Sequence, residues 1–274
     1  MTPCRVCPRH CGVDRLADER GFCGIGAKPS VSSAGPHFGE ESCLVGRGGS
    51  GTIFLAGCNL GCVFCQNYDI SHLRHGQEVD IGDIVTLMLE LQARGCRNVN
   101  FVSPTHVGPQ LLDAIVRARR DGLTVPVVWN CGGYESIEML ELLDGHVEIY
   151  MPDVKYSDDA VSARLSSADD YWTVVRAAVK EMHRQVGDLE TVDGVARRGL
   201  LVRHLVLPEG LSGSEAIVDF LADEVSDRTF VNVMGQYRPE YRAHDHPELS
   251  RSPTAGEIEK VRSYAADRGL RLSD

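Results

Sequence analysis

The sequence predicts an α/β fold, a partial (β/α)6 TIM-like barrel preceded by a cysteine-rich N-terminal metal-binding extension. Two observations lead to this prediction. After residue 51, six short apolar runs alternate with six amphipathic segments, whereas residues 1–50 are rich in cysteine and glycine and show no clear period. Strands alternating with helices imply a parallel sheet with right-handed crossovers. Six units are too few to close an eight-stranded barrel, so we expect an open one.

The six predicted strands are apolar runs bounded by turn residues. They cover residues 52–56, 99–103, 125–130, 147–151, 200–207 and 229–234. The six predicted helices have apolar residues spaced three and four apart, and they cover residues 82–94, 109–121, 135–143, 169–186, 212–226 and 255–268. Candidate N-caps at helix starts are Asp80 or Asp83, Ser157, Asp169, Ser212 and Thr254.

The domain organisation follows from this pattern. A chain of 274 residues is long enough for one main domain of barrel type. We therefore predict an extension over residues 1–50 and a barrel over residues 51–274. Between the fourth and fifth strands, Asp193-Gly194 with alternating flanks predicts a β-hairpin.

Composition narrows the function classes. The formal net charge is −11 and the pI is about 5.4, which argues against broad nucleic-acid binding. No apolar run is long enough to span a bilayer, and Cys4 leaves no room for a cleaved signal segment, so we expect no membrane partner and a cytoplasmic location. In that reducing compartment the ten cysteines should be thiols or metal ligands.

Three cysteines lie close together in the stretch GCNLGCVFCQN. Cys58, Cys62 and Cys65 directly follow the first barrel strand, so the loop should lie at the mouth formed by the carboxyl ends of the strands. A structural zinc site normally closes with four protein ligands, whereas a site that does chemistry keeps one position open. Three cysteines suit the open kind. The alternatives are a zinc site completed by His72 or His75, or packing thiols.

The C-x3-C-x2-C loop, with the aromatic Phe64 before its last cysteine, resembles the signature of the radical S-adenosylmethionine (SAM) enzymes. The resemblance extends over most of the chain and is strongest to proteins similar to pyruvate formate-lyase activating enzymes. The segments that carry it are CRVCPRHCGVDR, GCNLGCVFCQN, FVSPTHVGP, the turn at 130–134, IYMPDVKY, LLVRHLVLPEG and NVMGQYRPEY. It implies that Cys58, Cys62 and Cys65 hold three irons of a [4Fe–4S] cluster and that SAM binds the fourth.

The same resemblance implies further cofactor contacts. Ser103 and Thr105 occupy the place of a Gly-Gly-Glu-like segment that contacts the SAM amino group. Asn130 resembles a residue that hydrogen-bonds SAM, and Asp153 with Lys155 resembles a pair that contacts its ribose and carboxylate. His204 resembles a histidine close to SAM, although a strand histidine can equally be a satisfied core group. Gln236 and Tyr237 should line the opening.

A second cysteine group lies in the extension. Cys4, Cys7, Cys11 and Cys23 suit either a closed zinc site or a fully ligated second [4Fe–4S] cluster, and His10 or Cys43 could replace one of them. Cys96 is expected to be a buried thiol. Cys131 follows Asn130 and its role is open.

The resemblance finally implies a function. An electron from flavodoxin or ferredoxin would reduce the cluster, and SAM cleavage would yield a 5′-deoxyadenosyl radical that abstracts hydrogen. The first hypothesis is a protein or peptide substrate, such as a glycyl radical enzyme to be activated. The second is a small molecule or a peptide natural product. The third is an iron–sulfur electron carrier without catalysis.

Overall fold

The structure, a computed structural model, describes residues 2–273 and contains one mixed sheet. Its strands are β1 (Ser30–His37), β2 (Ser50–Leu55), β3 (Gln77–Glu78), β4 (Val99–Val102), β5 (Val127–Cys131), β6 (Ile149–Pro152), β7 (Glu190–Val192), β8 (Val195–Leu205), β9 (Phe230–Met234) and β10 (Arg271–Leu272). Their order is β10-β9-β8-β6-β5-β4-β2-β1-β3, with β7 paired to β8. Strands β2, β4, β5, β6, β8 and β9 pair in parallel and match the six predicted strands, which confirms the open (β/α)6 architecture.

The helices connect these strands. They are α1 (Ser42–Val45), α2 (Tyr68–Ser71), α3 (Ile81–Ala93), α4 (Gly108–Arg120), α5 (Ile137–Leu143), α6 (Asp159–Ser166), α7 (Tyr171–Val186), α8 (Ser214–Phe220), which continues as a π-helical turn (Leu221–Val225), and α9 (Ala255–Asp267). The six predicted helices correspond to α3, α4, α5, α7, α8 and α9. The additional helix α6 was not predicted, because its eight residues have only a weak apolar period.

The predicted helix caps are partly correct. Asp80 begins α3, where its N–H donates to Asp83 Oδ2 (2.8 Å), and Thr254 begins α9 in a capping box with Glu257. The other three are wrong. The observed caps are Asp158, Asp170 and Gly213 instead of Ser157, Asp169 and Ser212.

Ser212 shows why a cap can be misassigned. Its hydroxyl donates to the Leu205 carbonyl (2.8 Å) and accepts from the Leu207 N–H (2.9 Å), so it closes the turn after β8 instead of capping α8. The cap falls to Gly213, whose φ of +64° favours glycine.

Part of the N-terminal fifty residues is regular. Strand β1 pairs antiparallel with β2 along the edge of the sheet. Sequence reasoning did not find it, because SVSSAGPH is mostly small and polar. The predicted boundary at residue 50 stays a prediction. The Asp193-Gly194 hairpin is confirmed, with φ of +51° and +75° joining β7 to β8 as a type I′ turn requires.

The amino ends of the parallel strands are closed and their carboxyl ends carry the long loops. The segment 38–49, which joins β1 to β2, packs Cys43 and Leu44 into a buried cluster with Val128, Ile149 and Leu201. Cys43 therefore lies at the closed end of the barrel. Within the described residues, no helix combines the length and the apolar character needed to cross a bilayer.

Candidate active site at the carboxyl ends of the strands

The loop after β2 is fixed by α6. The N–H of Gly61 donates to the Ser166 carbonyl (2.9 Å), and the N–H of Val63 donates to the Leu165 carbonyl (2.9 Å). Cys58 and Cys65 are half-buried and Cys62 is buried. The three thiols are thus held at the mouth of the barrel, where the sequence predicts them.

Each of these sulfurs has a polar neighbour. The Leu60 N–H donates to Cys58 Sγ (3.3 Å), the Ser166 hydroxyl donates to Cys62 Sγ (3.0 Å), and Cys65 Sγ lies 3.1 Å from the Ser71 hydroxyl. Burial raises the pKa of the free Cys58 thiol to about 12. Hydrogen-bond donors favour the thiolate that a metal requires, so this donor set fits a metal centre that forms with loss of protons.

The arrangement does not suit a single ion. Among residues 2–273, no three His, Cys, Asp or Glu side chains converge closely enough to hold one metal ion. His72 is engaged elsewhere: its Nε2 lies 3.1 Å from the Cys62 carbonyl, and its ring stacks on Tyr241. His75 is exposed. The geometry therefore gives no support to a zinc ion shared by the three cysteines and a histidine.

Replacing Ser166 tests the donor to Cys62. A Ser166→Ala variant should lose metal about 10–100-fold more readily, because outer-shell hydrogen bonds orient and stabilise metal ligands. Iron release to a chelator, followed optically under anaerobic conditions, measures this. Ser263→Ala on the exposed face of α9 is the control. Equal release rates in the two variants would contradict the role given to Ser166.

Four charged or polar side chains from β5, β8 and the segment after β6 meet beside the cysteine loop. Asp153 pairs with Lys155 through one carboxylate oxygen, and Arg203 Nε donates to the other oxygen (2.8 Å). Arg203 Nη2 also donates to Asn130 Oδ1 (2.7 Å). Asn130, Asp153 and Lys155 are thus brought together as expected. Arg203, which sequence reasoning did not select, joins them.

Opposing effects set the charges in this group. Burial alone would raise the pKa of Asp153, but the Arg203 and Lys155 charges outweigh burial and lower it. Burial would lower the pKa of Lys155, but Asp153 and the nearby Cys62 sulfur raise it. The pair therefore stays ionised, with Lys155 close enough to Cys62 for their charges to interact.

His204 lies on the other face of β8. Its Nδ1 is 2.8 Å from the Val154 carbonyl and its Nε2 is 2.8 Å from the Ser214 hydroxyl on α8. Successive side chains of a strand alternate between faces, so Arg203 faces the barrel interior and His204 faces the helices. The structure does not bring His204 to the polar group at the mouth.

The acid sensitivity of the fold tests this placement of His204. Burial lowers its pKa to about 4, from an ordinary value of 6.5. In the unfolded state His204 takes up a proton near pH 6.5, whereas in the native state it does so only near pH 4. The free energy of unfolding should therefore fall as the pH is lowered from about 6.5 toward 4. His204→Asn should reduce the loss of stability between pH 6.5 and 5 in urea unfolding. The exposed variant His244→Asn should not. An unchanged pH slope for His204→Asn would contradict the assignment.

The residues after β4 are placed differently from one another. Ser103 is half-buried, with φ of +57°, and its N–H donates to the Asn130 carbonyl (2.9 Å), so the backbone turns sharply beside Asn130. Thr105 is buried and donates its hydroxyl to Glu135. Ser103 is therefore near the polar group, whereas the Thr105 hydroxyl is occupied.

Glu135 belongs to the Gly-Gly-Tyr-Glu string after β5. Its carboxyl also accepts from Trp129 Nε1 (3.5 Å), and burial raises its pKa to about 7. This carboxyl is used inside the fold.

Aromatic rings pack beneath the cysteine loop. The Phe64 ring makes edge contacts with Tyr156 (6.4 Å) and Tyr237 (5.6 Å). The Tyr171 hydroxyl donates to the Asp153 carbonyl (2.8 Å) and accepts from the Lys155 N–H (3.1 Å). Tyr171 thus fixes the backbone that carries the charged pair, a role with no signal in the local sequence.

The remaining predicted residues lie near the rim or in the core. Gln236 is exposed and its carbonyl accepts from Gln66, so it lines the opening, while Tyr237 is buried and bonds the Leu249 carbonyl (2.7 Å). Cys96 is a buried thiol, as predicted, and Cys131 is buried at the end of β5.

This geometry agrees with comparisons to known proteins. Residues 52–194, more than half of the chain, match the radical SAM superfamily. The chain belongs to that superfamily. Membership implies catalysis with a [4Fe–4S] cluster and SAM as cofactors.

Two curated relatives extend over nearly the whole chain. Both are uncharacterised proteins of Methanocaldococcus jannaschii. MJ0674 is 36% identical to this chain, over 98% of this chain and 76% of its own length. MJ0808 is 25% identical, over 98% of this chain and 79% of its own length.

Solved structures show the same fold at low identity. HydG, a maturase of the [FeFe]-hydrogenase, superposes with a TM-score of 0.56 at 10% identity, over 81% of this chain and 51% of its own. Streptococcus suis SuiB superposes with a TM-score of 0.53 at 11% identity, over 79% and 46%. A domain of pyruvate-formate lyase-activating enzyme from Bacteroides vulgatus reaches a TM-score of 0.45 at 13% identity, over 61% and 90%.

Proposed function

We propose that the protein cleaves SAM reductively at a [4Fe–4S] cluster held by Cys58, Cys62 and Cys65, and that it abstracts hydrogen from a protein or peptide. One observation carries this proposal. The cysteine loop and the group Asn130, Asp153, Lys155 and Arg203 share one mouth of the barrel, with Lys155 beside Cys62. A metal-ligand set thus adjoins the charges needed to bind a zwitterionic cofactor.

The chain's own residues divide the work. Cys58, Cys62 and Cys65 would hold the cluster, which when bound and reduced would supply the electron for cleavage of SAM to methionine and a 5′-deoxyadenosyl radical. Lys155 would bind the SAM carboxylate, and Asn130 and Asp153 would bind the amino group and the ribose hydroxyls. Arg203 positions Asp153 and Asn130 through hydrogen bonds to both side chains. The packed rings of Phe64, Tyr156 and Tyr237 exclude water under the loop.

The closed lower end of the barrel supports a substrate that reaches in from outside. There, Asn232 donates to Glu41 (3.0 Å) and Asn98 donates to the Leu44 carbonyl (2.8 Å), so the segment 38–49 fills this half of the interior. A reacting C–H group must come through the mouth, which suits an exposed segment of a protein or peptide. SuiB, one of the proteins of similar fold, has been solved with its precursor peptide.

Activation of a glycyl radical enzyme is one reaction of this class. The electron donor would be a flavodoxin or a ferredoxin, and the ten cysteines as thiols or metal ligands suit the cytoplasm. Modification of a small molecule or a peptide natural product is the competing function. An electron carrier without catalysis would bind no SAM.

Deuterium transfer distinguishes these functions. Cells of the source organism are grown in deuterated medium, and their extract is separated into macromolecular and small-molecule pools. Each pool is incubated with reconstituted protein, unlabelled SAM and dithionite. We expect deuterium in 5′-deoxyadenosine with the macromolecular pool only. Deuterium only from the small-molecule pool would overturn the substrate class, and no 5′-deoxyadenosine at all would overturn the enzyme function.

A further inference from the structure

We propose that Cys4, Cys7, Cys11 and Cys23 hold a second iron–sulfur cluster of the [4Fe–4S] type, with Arg15 as its buried counter-charge. This site lies outside the region that matches the superfamily, which begins at residue 52. It is also separate from the site to which SAM cleavage is assigned.

The four cysteines line one small cavity. Tight turns shape it: the Gly12 N–H donates to the Cys4 carbonyl (3.0 Å), and the His10 N–H donates to the Cys7 carbonyl (3.1 Å). His10 also lines this cavity, whereas Cys43 lies at the closed end of the barrel. The chain thus brings four thiols from two separate segments to one place.

A backbone amide points at one of these sulfurs. The Phe22 N–H donates to Cys11 Sγ (3.4 Å). In the other cysteine group, the Leu60 N–H likewise donates to Cys58 Sγ (3.3 Å). Such bonds stabilise thiolates and tune iron–sulfur clusters.

Arg15 supplies an independent indication of bound negative charge. It lines the same cavity and is only 1% exposed. Its guanidinium donates to the carbonyls of Gly26 (2.8 and 2.6 Å) and His106 (2.6 Å), and no carboxylate of the described residues pairs with it. A buried charge without a counter-ion is costly. Four thiolates around a cluster carry net negative charge and would neutralise this guanidinium.

The arrangement of the thiols does not suit zinc. The ligands of a tetrahedral zinc must all lie about 2.3 Å from one ion. No group of three His, Cys, Asp or Glu side chains among residues 2–273 is placed to hold a single metal ion, and this includes Cys58, Cys62 and Cys65, whose proposed role is to hold a cluster. The N-terminal thiols resemble that group in this respect.

The two cysteine groups are in contact through the backbone. A Cβ placed on Gly57 would lie 2.8 Å from the Cys23 carbonyl oxygen, so Gly57, the neighbour of Cys58, packs directly on Cys23. Arg9 Nε donates to the carbonyl of Asn59 (2.8 Å) on the other side of Cys58. The second cluster would thus adjoin the first.

Metal analysis of the anaerobically reconstituted full chain tests the site. Iron, sulfide and zinc are measured in the native protein, Cys4→Ser/Cys7→Ser, Cys58→Ala/Cys62→Ala/Cys65→Ala and the control Cys96→Ser. We expect about eight irons in the native protein and the control, and about four in each other variant. Four irons with one zinc, or four irons that the Cys4→Ser/Cys7→Ser variant retains, would overturn the second cluster and leave the proposed function intact.

The role of Arg15 is tested by the reduction potential of the cluster that remains in Cys58→Ala/Cys62→Ala/Cys65→Ala. Adding Arg15→Met should shift this potential to a more negative value, because reduction adds negative charge that the cation stabilises. Arg15→Lys should shift it less. Circular dichroism will show whether the Arg15→Met variant folds. If it does not, Arg9→Met, at the wall of the same cavity, is used in its place, and we again expect a more negative potential. An unchanged potential would overturn the counter-charge role.

Discussion

Replacing Cys58, Cys62 and Cys65 with alanine is expected to abolish SAM cleavage. These thiols are the proposed ligands of the cluster, and the loop that carries them lies beside the Asp153–Lys155 pair. Their removal would leave the mouth without the ligands that hold the cluster, and so without the source of the electron. Release of 5′-deoxyadenosine from SAM with dithionite, measured by chromatography under anaerobic conditions, should fall to the level without protein.

The matched control for this variant is Cys96→Ala, which removes a buried thiol just before β4, away from both cysteine groups. It should lower stability modestly and leave cleavage per bound cluster unchanged. If the triple variant keeps cleaving SAM, the assignment of the cluster to this loop is wrong.

Replacing Asp153 with alanine should have the second-largest effect, on both stability and cofactor binding. The change leaves Lys155 and Arg203 without their shared carboxylate in a site where all three side chains are at most 18% exposed. Removing one partner of a buried ion pair costs about 3–5 kcal/mol. We expect a loss of this size in urea unfolding, together with weaker SAM binding by equilibrium dialysis.

Asp113→Ala is the control for Asp153→Ala. Asp113 pairs with Arg117 one turn along the exposed face of α4, and such a pair contributes about 0.3–0.5 kcal/mol. If the Asp153→Ala variant has the same free energy of unfolding and the same SAM affinity as this control, the role given to the charged group is contradicted.

The pH dependence of stability gives a second test of Asp153. Its pKa in the folded protein lies below the ordinary value of 3.8, so its contribution is complete above about pH 4 and is lost as the pH falls through the folded pKa. The difference in stability between native protein and Asp153→Ala should therefore shrink only in strong acid. If the difference in stability already disappears near pH 6, the ionised Asp153 carboxylate is not the source of that stability.

The barrel architecture can be predicted from the sequence because the barrel strands are apolar runs that must be buried. The same reasoning does not predict β1, whose residues are small and polar and are held by pairing with β2. Helix α6 was also not predicted, and with it Ser166, whose hydroxyl reaches Cys62 over 104 residues of chain. Such a contact depends on the tertiary fold and leaves no local pattern.

The charged group at the mouth shows a similar limit. Asp153 and Lys155 were found because they follow a strand in a motif that resembles the superfamily. The choice of His204 over Arg203 depended on which face of β8 points inward, and alternation fixes the two faces without saying which is inner. Only the bonds from Arg203 to Asp153 and Asn130 settle that orientation.

Cleavage of SAM by the native protein is the most direct test of the proposed enzyme activity. Anaerobically reconstituted protein is mixed with SAM and dithionite, and methionine and 5′-deoxyadenosine are quantified over time. We expect both to form in equal amounts, and only when protein, cluster and reductant are all present. A protein that carries its full complement of iron yet yields no 5′-deoxyadenosine and binds no SAM would contradict the proposed activity.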